Sequence, residues 1–288
     1  MQNKPYIIWG MSGKGHDASI VVFKDYSVVF ESYTRDSEHD VAVIEKIKHD
    51  HGEPNLVVWY ENPWKKMLRQ WWDGHKNVYA SNNISKYLKS KNINCPYTYV
   101  DHHRSHYGHS FQSPYDNPLV IVADSIGEFD CTSVWYNNRK ISSINYPHSI
   151  GLFYSSMTQA SGLRPNCDEG LFERIASENE IDLDLKDHIK KLFIVEHDWA
   201  PLFKVNLHKG TDIRISAELL APVVQSIFED LIINIYNHWT TKLNCNEVIF
   251  TGGCAFNKGI RNKINIWVPA NPGDGGSAKS CVWSYLNG

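Results

Sequence analysis

Two histidines and a nearby carboxylate are the residues of this chain best suited to metal chemistry. His102 and His106 lie four apart in the run DHHRSHYGH, and residues at that spacing share one face of a helix. The apolar run 119–123 predicts a short strand that ends at Asp124, where a carboxylate is well placed to complete a site. Two histidines and a carboxylate with open positions suit iron or another mid-row divalent metal. The same spacing also occurs on ordinary solvated helices, so both interpretations remain open.

Four loops that follow predicted strands combine glycine with Asp, Ser or Thr. They cover residues 10–17, 124–128, 251–254 and 273–276. Glycine lets the backbone approach a phosphate closely, and exposed N–H groups then bind the anion. Four such loops in one chain are harder to ascribe to tight turns than any single one. Neither a Walker A loop nor a GxGxxG fingerprint occurs, so the sequence does not support a P-loop or a dinucleotide site.

The first of these loops ends in His16 and Asp17. A histidine titrates near neutral pH, so His16 is a candidate general base. A surface imidazole paired with the neighbouring aspartate is the alternative, and the spacing leaves both open.

The run WKKMLRQWW at residues 64–72 interleaves basic and aromatic side chains. Such a surface can stack sugar or nucleobase rings and contact phosphates. A half-buried amphipathic helix gives the same pattern, so this segment predicts a helix and leaves its role open.

These residues need elements that hold them in place. Predicted strands cover 6–10, 18–23, 28–33, 56–60, 119–123, 132–136, 140–145 and 247–250, and predicted helices cover 40–51, 151–161, 171–198 and 216–242. A strand–loop–strand–turn–strand order occurs at the start of the chain and again near its middle. The pattern predicts two related α/β lobes that face a cleft, at residues 1–118 and 119–288.

Composition sets the broad class of the protein. The 288 residues carry a formal net charge of −3, which gives no global reason to expect nucleic-acid or membrane binding. No unbroken apolar run approaches 18 residues, and the first residues lack a signal-peptide core, so neither a spanning helix nor secretion is expected. Six cysteines without a CxxC pair make a reducing cytoplasm the simplest setting.

Seven motifs carry a resemblance to a known family. They are GHDAS at 15–19, HHRSH at 102–106, SPYD at 113–116, DSIGE at 124–128, PHSIGLFY at 147–154, TGGCAFN at 251–257 and GDGG at 273–276. In order and approximate spacing they resemble the O-carbamoyltransferases that modify nodulation factors and antibiotics. The family's N-terminal domain has an actin-like (ASKHA) ATPase-type fold, similar to that of the tRNA threonylcarbamoyl transferases. The resemblance therefore implies two ribonuclease-H-like lobes that enclose a nucleotide.

The resemblance also implies roles for individual residues. Fe²⁺ or another divalent metal would be held by His102, His106, Asp124 and Asp274. His16, beside Asp17, would be the base that acts on the acceptor hydroxyl. The residues that would line the adenylate site are Ser125, Gly127, Glu128, Ser149, Gly151, Gly252, Gly253 and Asn257.

The implied reaction is carbamoyl transfer. Carbamoyl phosphate and ATP would give carbamoyl-adenylate, and the carbamoyl group would pass to a hydroxyl of a sugar, a nucleoside or a hydroxymethylated base in DNA. Family members usually continue into a YrdC-like domain that makes the adenylate, whereas this sequence stops soon after residue 276. A separate adenylate-forming protein is thus an expected partner, unless this form does both steps. The sequence leaves open whether the chain forms a homo-oligomer, and no membrane partner is expected.

Two other classes of function compete with the enzyme. One is a non-catalytic subunit that binds nucleotide or adenylate for a partner, and the other is a metal-bound ATPase regulator. The family's GEYKVMGLA-like run is replaced by CDEGLFERIA at 167–176, which leaves open whether this segment contacts nucleotide as in relatives. His16 beside four metal ligands favours the enzyme, because a pure binding module needs no base.

Overall fold

A computed structural model of the protein describes residues 6–15, 17–195 and 197–288. The predicted base His16 therefore lies outside the described residues. The chain divides into two compact units. Unit 1 contains the described residues of Met1–Pro114, Gly127–Phe129 and Pro269–Gly288, and unit 2 contains those of Tyr115–Ile126 and Asp130–Val268.

Strands and helices occur along the whole described chain. The described strands are β1 (Ile7–Ser12), β2 (Ala18–Lys24), β3 (Ser27–Thr34), β4 (Leu56–Trp59), β5 (Tyr97–Tyr99), β6 (Leu119–Ala123), β7 (Asp130–Tyr136), β8 (Arg139–Asn145), β9 (Ile194–Val195), β10 (Leu202–Phe203) and β11 (Val248–Thr251). The described α-helices are α1 (Val41–His51), α2 (Pro63–Trp72), α3 (Val78–Ser81), α4 (Ile84–Ser90), α5 (His102–Tyr107), α6 (Ile150–Ala160), α7 (Glu169–Glu178), α8 (Leu183–Phe193), α9 (Ala217–Leu243), α10 (Lys258–Arg261) and α11 (Asp274–Leu286).

Unit 1 is built on a five-stranded sheet in the order β3-β2-β1-β4-β5. The first three strands form an antiparallel meander, and β4 and β5 add in parallel. β1 and β2 are buried on both faces because helices cover the sheet, so their sequences are continuous apolar runs. Helix α11 crosses β1 so closely that a Cβ on Gly10 would lie 1.7 Å from the carbonyl oxygen of Ala278. Only glycine fits at this crossing.

Unit 2 repeats the meander with a four-stranded sheet in the order β11-β6-β7-β8. β6, β7 and β8 are antiparallel neighbours, and β11 pairs with β6 in parallel. The repeated module predicted from the sequence is therefore present in both sheets. Helix α9 is the centre of the core and buries Leu220, Val224 and Ile227 completely.

Helix α9 is the one helix in the described ranges that is long and apolar enough to cross a bilayer, with a mean hydropathy of 1.4. Two thirds of that stretch, 67%, is buried inside the protein, as expected of a core helix. The apolar run is not continuous in the sequence, because polar residues such as Gln225 interrupt it.

The structure differs from the predicted elements in two places. The charged segment 171–198 forms two helices, because Asn179 ends α7 in extended geometry and Asp182 caps α8 by accepting the amide of Leu185. Asp274, predicted in a loop, is the first residue of α11. That helix packs in unit 1, although its residues were assigned to the second predicted lobe. The lobe boundary between residues 118 and 119 stays a prediction.

Candidate metal and nucleotide sites

Helix α5 brings its two histidines together on one buried face. The Nε2 atoms of His102 and His106 lie 3.2 Å apart, and both residues are buried. At that distance one ring donates and the other accepts, or both bind a common cation. The spacing of four residues thus has the consequence expected from the sequence.

A carboxylate from the far end of the sequence joins this pair. Oδ1 of Asp274 lies 3.5 Å from Nε2 of His102 and 3.4 Å from Nε2 of His106. The contact depends on close packing of α11 against the segment around α5. A Cβ on Gly108 would lie 1.9 Å from the carbonyl oxygen of Ser280, so the two backbones touch there.

The three side chains have the composition and spacing of a metal site. Atoms that each lie about 2.1 Å from one ion stand roughly 3.0–3.4 Å from one another, depending on the coordination geometry. The separations of 3.2–3.5 Å lie close to the upper end of this spacing. Two imidazoles and one carboxylate with further positions open suit Fe²⁺ and other mid-row divalent ions. The donor set of unit 1 therefore fits the predicted metal.

Asp124, the fourth predicted ligand, lies at the end of β6 in unit 2. Its Oδ1 accepts the backbone amide of Ser125 at 2.7 Å, which fixes the carboxylate at the strand end. Its place among the metal ligands stays a prediction.

Glu128 holds the start of the histidine helix. Its Oε1 accepts the amides of Asn62 at 2.6 Å and His102 at 2.8 Å. Burial raises the pKa of this carboxyl to about 7, against the lowering effects of the nearby His102 charge and the two amide bonds. Sequence reasoning assigned Glu128 to the adenylate site and missed this bonding, which no local pattern indicates. Its role towards nucleotide stays a prediction.

Asp101 connects the same helix to α2. Its Oδ1 accepts the side-chain amide of Asn62 at 3.1 Å, and its Oδ2 accepts Lys65 Nζ at 2.5 Å. Asn62 also caps α2 by accepting the amide of Trp64. The first turn of α2 is thereby fixed beside the residue that precedes His102.

The loop that carries the predicted base is connected to the Asp274 region through Tyr33. The hydroxyl of Tyr33 donates to Asp17 Oδ1 at 3.0 Å. Its ring packs on Gly275, the residue after Asp274. Burial, and then the bond to Asp17, raise the pKa of Tyr33. No sequence motif pointed to Tyr33.

Five predicted adenylate residues converge in unit 2, where the parallel strands β6 and β11 end at one edge of the sheet. Ser149 Oγ donates to the carbonyl oxygen of Ser125 at 2.6 Å and caps α6 by accepting the amide of Leu152. The glycines allow close approach around Asp124: a Cβ on Gly151 would lie 2.9 Å from its carbonyl oxygen, and one on Gly253 would lie 2.9 Å from its Oδ1.

Gly252 completes this cluster at the end of β11. It has a φ of +92°, and a Cβ there would lie 2.3 Å from the carbonyl oxygen of Ala123. First-turn N–H groups of a helix such as α6 lack helical acceptors and bind phosphate readily. The strand-end loops therefore fit an anionic nucleotide. Gly127, which was also predicted to line the adenylate site, belongs to unit 1 and is not part of this cluster. Its contact with nucleotide stays a prediction.

Asn257 has a buried structural environment. Its amide and that of Gln225 bond reciprocally at 2.8 and 3.0 Å, and Gln225 also donates to Glu229 Oε1 at 2.8 Å. The Oδ1 of Asn257 additionally accepts the amide of Ile260 and so caps α10. Its predicted nucleotide contact is untested.

Comparison with known proteins gives a family match. A family model described as "Carbamoyltransferase N-terminus" matches residues 59–281. An uncharacterized protein of Synechocystis sp. is 25% identical over 343 aligned residues, which cover 94% of this chain and 55% of that protein. An uncharacterized protein of Methanocaldococcus jannaschii is 27% identical over 204 residues, covering 64% of this chain and 40% of that protein. The chain thus spans about half the length of these curated relatives, or less.

Solved structures confirm the predicted fold class. Component A of (R)-2-hydroxyglutaryl-CoA dehydratase from Acidaminococcus fermentans superposes with a TM-score of 0.54 at 12% identity, over 98% of each chain. Full-length HypF in its phosphate- and nucleotide-bound form gives a TM-score of 0.53 at 14% identity, over 98% of this chain and 46% of that one. At such identities the likeness shows the fold alone, which is the actin-like (ASKHA) ATPase fold.

Proposed function

Because this chain belongs to the carbamoyltransferase family, whose N-terminal domain it matches over residues 59–281, we propose that it is a metal-dependent O-carbamoyltransferase. The donor is carbamoyl-adenylate, formed from carbamoyl phosphate and ATP. The acceptor is a hydroxyl of a sugar, a nucleoside or a hydroxymethylated DNA base. The observation that carries the proposal is the approach of Asp274 to the histidine pair, 3.4–3.5 Å away, in a chain of this family.

His102, His106 and Asp274 would hold the metal, and Asp124 is the fourth ligand that the family resemblance implies. A divalent ion bound by them would supply Lewis-acid stabilisation of charge on the adenylate phosphate and on the developing oxyanion. Glu128 supports this role indirectly, because its bonds to the amides of Asn62 and His102 fix the start of the histidine helix.

The strand-end loops of unit 2 bind the adenylate. Backbone N–H groups at Gly252 and Gly253 and at the start of α6 face the phosphate, because glycine lets the anion approach the main chain. Ser149 fixes the conformation of this edge of the sheet through its hydrogen bonds to Ser125 and Leu152. These residues orient the carbamoyl group towards the acceptor.

His16 and Asp17 act on the acceptor in the transfer step. The acceptor oxygen forms a bond to the carbamoyl carbon, and the bond from that carbon to the adenylate oxygen breaks. The electron pair leaves with AMP, and the hydroxyl proton passes to His16. Asp17 is held by the hydroxyl of Tyr33, so it keeps one position during the step.

A non-catalytic subunit that binds nucleotide or adenylate for a partner is the second candidate. It needs only the strand-end loops of unit 2, where Gly151, Gly252 and Gly253 allow the main chain to approach an anion. In that case a separate protein with a YrdC-like domain would form the adenylate.

Mass spectrometry of reaction products separates the two candidates. Purified protein is incubated with carbamoyl phosphate, ATP and a panel of hydroxyl acceptors, with and without a YrdC-like adenylate-forming protein. The proposal predicts a carbamoyl mass increment on one acceptor, lost in His16→Ala and after chelation of metal. Tight ATP binding without an increment on any acceptor would contradict the enzyme and favour the binding subunit.

A further inference from the structure

A cleft in unit 1 lies outside the metal and nucleotide residues described above. Helices α2, α3 and α4 and strand β5 line it, and its volume is about 470 Å³. That volume lies within the range of about 300–1,000 Å³ that is typical of small-molecule sites. None of the residues assigned above to carbamoyl transfer lines this cleft.

Aromatic side chains form one part of the cleft wall. Trp64, Tyr79 and Tyr97 line it while being 58%, 62% and 41% exposed. Large aromatic side chains that share an exposed concave surface provide faces on which a planar ring stacks. Met67 lies among them and adds an adaptable apolar contact.

The cleft wall is also positively charged. Lys86 and Lys89 line it, and none of its lining residues is acidic. Both lysines are exposed, and within the described part of the chain neither has a carboxylate in ion-pair range. The lysines of α2 differ, because Lys65 pairs with Asp101 and Lys66 with Glu61. The uncompensated charge of the cleft therefore belongs to α4.

We propose that this cleft binds the acceptor and that the acceptor is a nucleoside monophosphate unit. Its base stacks on Trp64, Tyr79 or Tyr97, and its phosphate pairs with Lys86 and Lys89. Aromatic faces alone would suit an uncharged sugar, and lysines alone would suit any phosphate. Their combination in one cleft without carboxylates selects a ligand that has both parts. The role as acceptor rests on the proposed function, whereas the binding itself does not.

The cleft is connected to the metal residues within unit 1. Trp64 and its neighbour Pro63 follow Asn62, which donates to Asp101 at 3.1 Å, and Asp101 directly precedes His102. A ligand on the first turn of α2 is thus bound to a segment that is fixed beside the metal helix. This relationship favours a substrate role over an unrelated surface site.

Calorimetric titration of the full chain with cytidine 5′-monophosphate tests the binding. Cytidine, ribose 5-phosphate and inorganic phosphate are titrated in parallel. We expect the nucleotide to bind at least tenfold more tightly than any of the three, because cytidine lacks the phosphate and the other two lack the base. Equal affinity for ribose 5-phosphate and the nucleotide would overturn the stacking of a base.

Variants locate the ligand in the cleft. Lys86→Ala combined with Lys89→Ala is expected to weaken nucleotide binding about tenfold while leaving cytidine binding unchanged. Tyr79→Ala and Trp64→Ala are each expected to lower the affinity for both the nucleotide and cytidine by roughly fivefold or more. The matched controls are Lys46→Ala, an exposed lysine on α1, and Trp72→Ala, an exposed tryptophan of α2 outside the cleft wall. Wild-type affinity in all the cleft variants would overturn the assignment.

The carbamoyl assay separates a failure of this inference from a failure of the proposed function. Wild-type transfer rates to a nucleotide acceptor in the double lysine variant would overturn the inference and leave the carbamoyltransferase intact. Nucleotide binding that depends on Lys86, Lys89 and Tyr79, without carbamoyl product under any condition, would contradict the proposed function and support the binding site.

Discussion

The ring of Tyr33 packs on Gly275 so closely that a Cβ on the glycine would lie 2.4 Å from Cε2 of the tyrosine. The hydroxyl of the same tyrosine donates to Asp17 at 3.0 Å. Asp274, one residue before the glycine, is the carboxylate that approaches the histidine pair. One aromatic side chain thus connects the loop after β1 to the start of the helix that carries Asp274.

Gly275→Ala is expected to displace Tyr33 and to break its bond to Asp17. Overpacking of this kind costs about 1–3 kcal/mol, measured as the free energy of unfolding in urea. Gly170→Ala is the control, because a Cβ at that helical glycine meets nothing within 4 Å, and alanine there is expected to stabilise α7.

A double-mutant cycle with Tyr33→Ala checks the cause of this loss. Removal of the ring relieves the shortest contact and leaves the side-chain Nδ2 of Asn271, at 2.7 Å, as the remaining close neighbour of the new Cβ. Gly275→Ala is therefore expected to cost less in the Tyr33→Ala background. An equal cost in both backgrounds would contradict the steric explanation.

Glu128→Gln is expected to change how stability depends on pH. The pKa of Glu128 is about 7 in the folded chain and has an ordinary value of 4.5, because burial disfavours its charge. Between those values the folded chain binds a proton that the unfolded chain does not, so stability falls as pH rises. Glutamine keeps an oxygen that accepts both amides, and it does not titrate.

Urea unfolding of chelator-treated wild type and Glu128→Gln at several pH values measures this effect. The wild type is expected to lose on the order of 3 kcal/mol relative to the variant as pH rises from 4.5 to 7. If the free energies of unfolding of the two proteins changed with pH in parallel, the expected rise in the pKa of Glu128 would be contradicted.

Gly252→Ala is expected to destabilise unit 2 through a clash with backbone. Gly252 and Gly162 have nearly equal positive φ, +92° and +89°, but a Cβ on Gly162 would meet nothing within 4 Å. Gly162→Ala therefore measures the strain of a positive φ without a steric clash, about 1–2 kcal/mol. Gly252 has a ψ of 172°, outside the left-handed helical region, so its replacement adds backbone strain to the clash. Gly252→Ala is expected to cost about 2–3 kcal/mol more in chemical denaturation. Equal losses of unfolding free energy in the two variants would mean that the backbone of β6 moves to accommodate the methyl group without cost.

Asn257→Ala and Gln225→Ala are each expected to cost about 1–3 kcal/mol, because each removes both hydrogen bonds of a buried reciprocal amide pair. The double variant is expected to cost less than the sum, and additive losses would contradict the coupling. Isothermal titration with ATP adds a second readout. A larger loss of affinity in Asn257→Ala than in Gln225→Ala would support the predicted nucleotide contact of Asn257, and equal affinities would contradict it.

The sequence predicted the sheets well because their signals are local. Apolar runs mark β1 and β2, and Asp25 and Tyr26 form the turn between β2 and β3 with positive φ at both residues. The charged run 171–198 was predicted as one helix, whereas the structure has two. The break was not predicted because the pattern of charged residues continues across Asn179 and Asp182.

The candidate site was predictable only in part. The spacing of His102 and His106 on one helix face is visible in the sequence, whereas Asp274 was assigned only through family resemblance. Its approach depends on tertiary packing of α11, which no local pattern encodes. The amide bonds of Glu128 and the contact of Tyr33 with Gly275 likewise join residues far apart in the chain.

Metal content of purified, iron-reconstituted protein tests the metal site most directly. Elemental analysis compares the wild type with His102→Ala and with Asp274→Asn, a substitution of equal size at the start of α11. His49→Ala, at an exposed histidine of α1, is the control. We predict about one ion per chain in the wild type and in His49→Ala, and strongly reduced metal in the other two. Equal metal content in all four proteins would contradict the metal site and the catalytic proposal that depends on it.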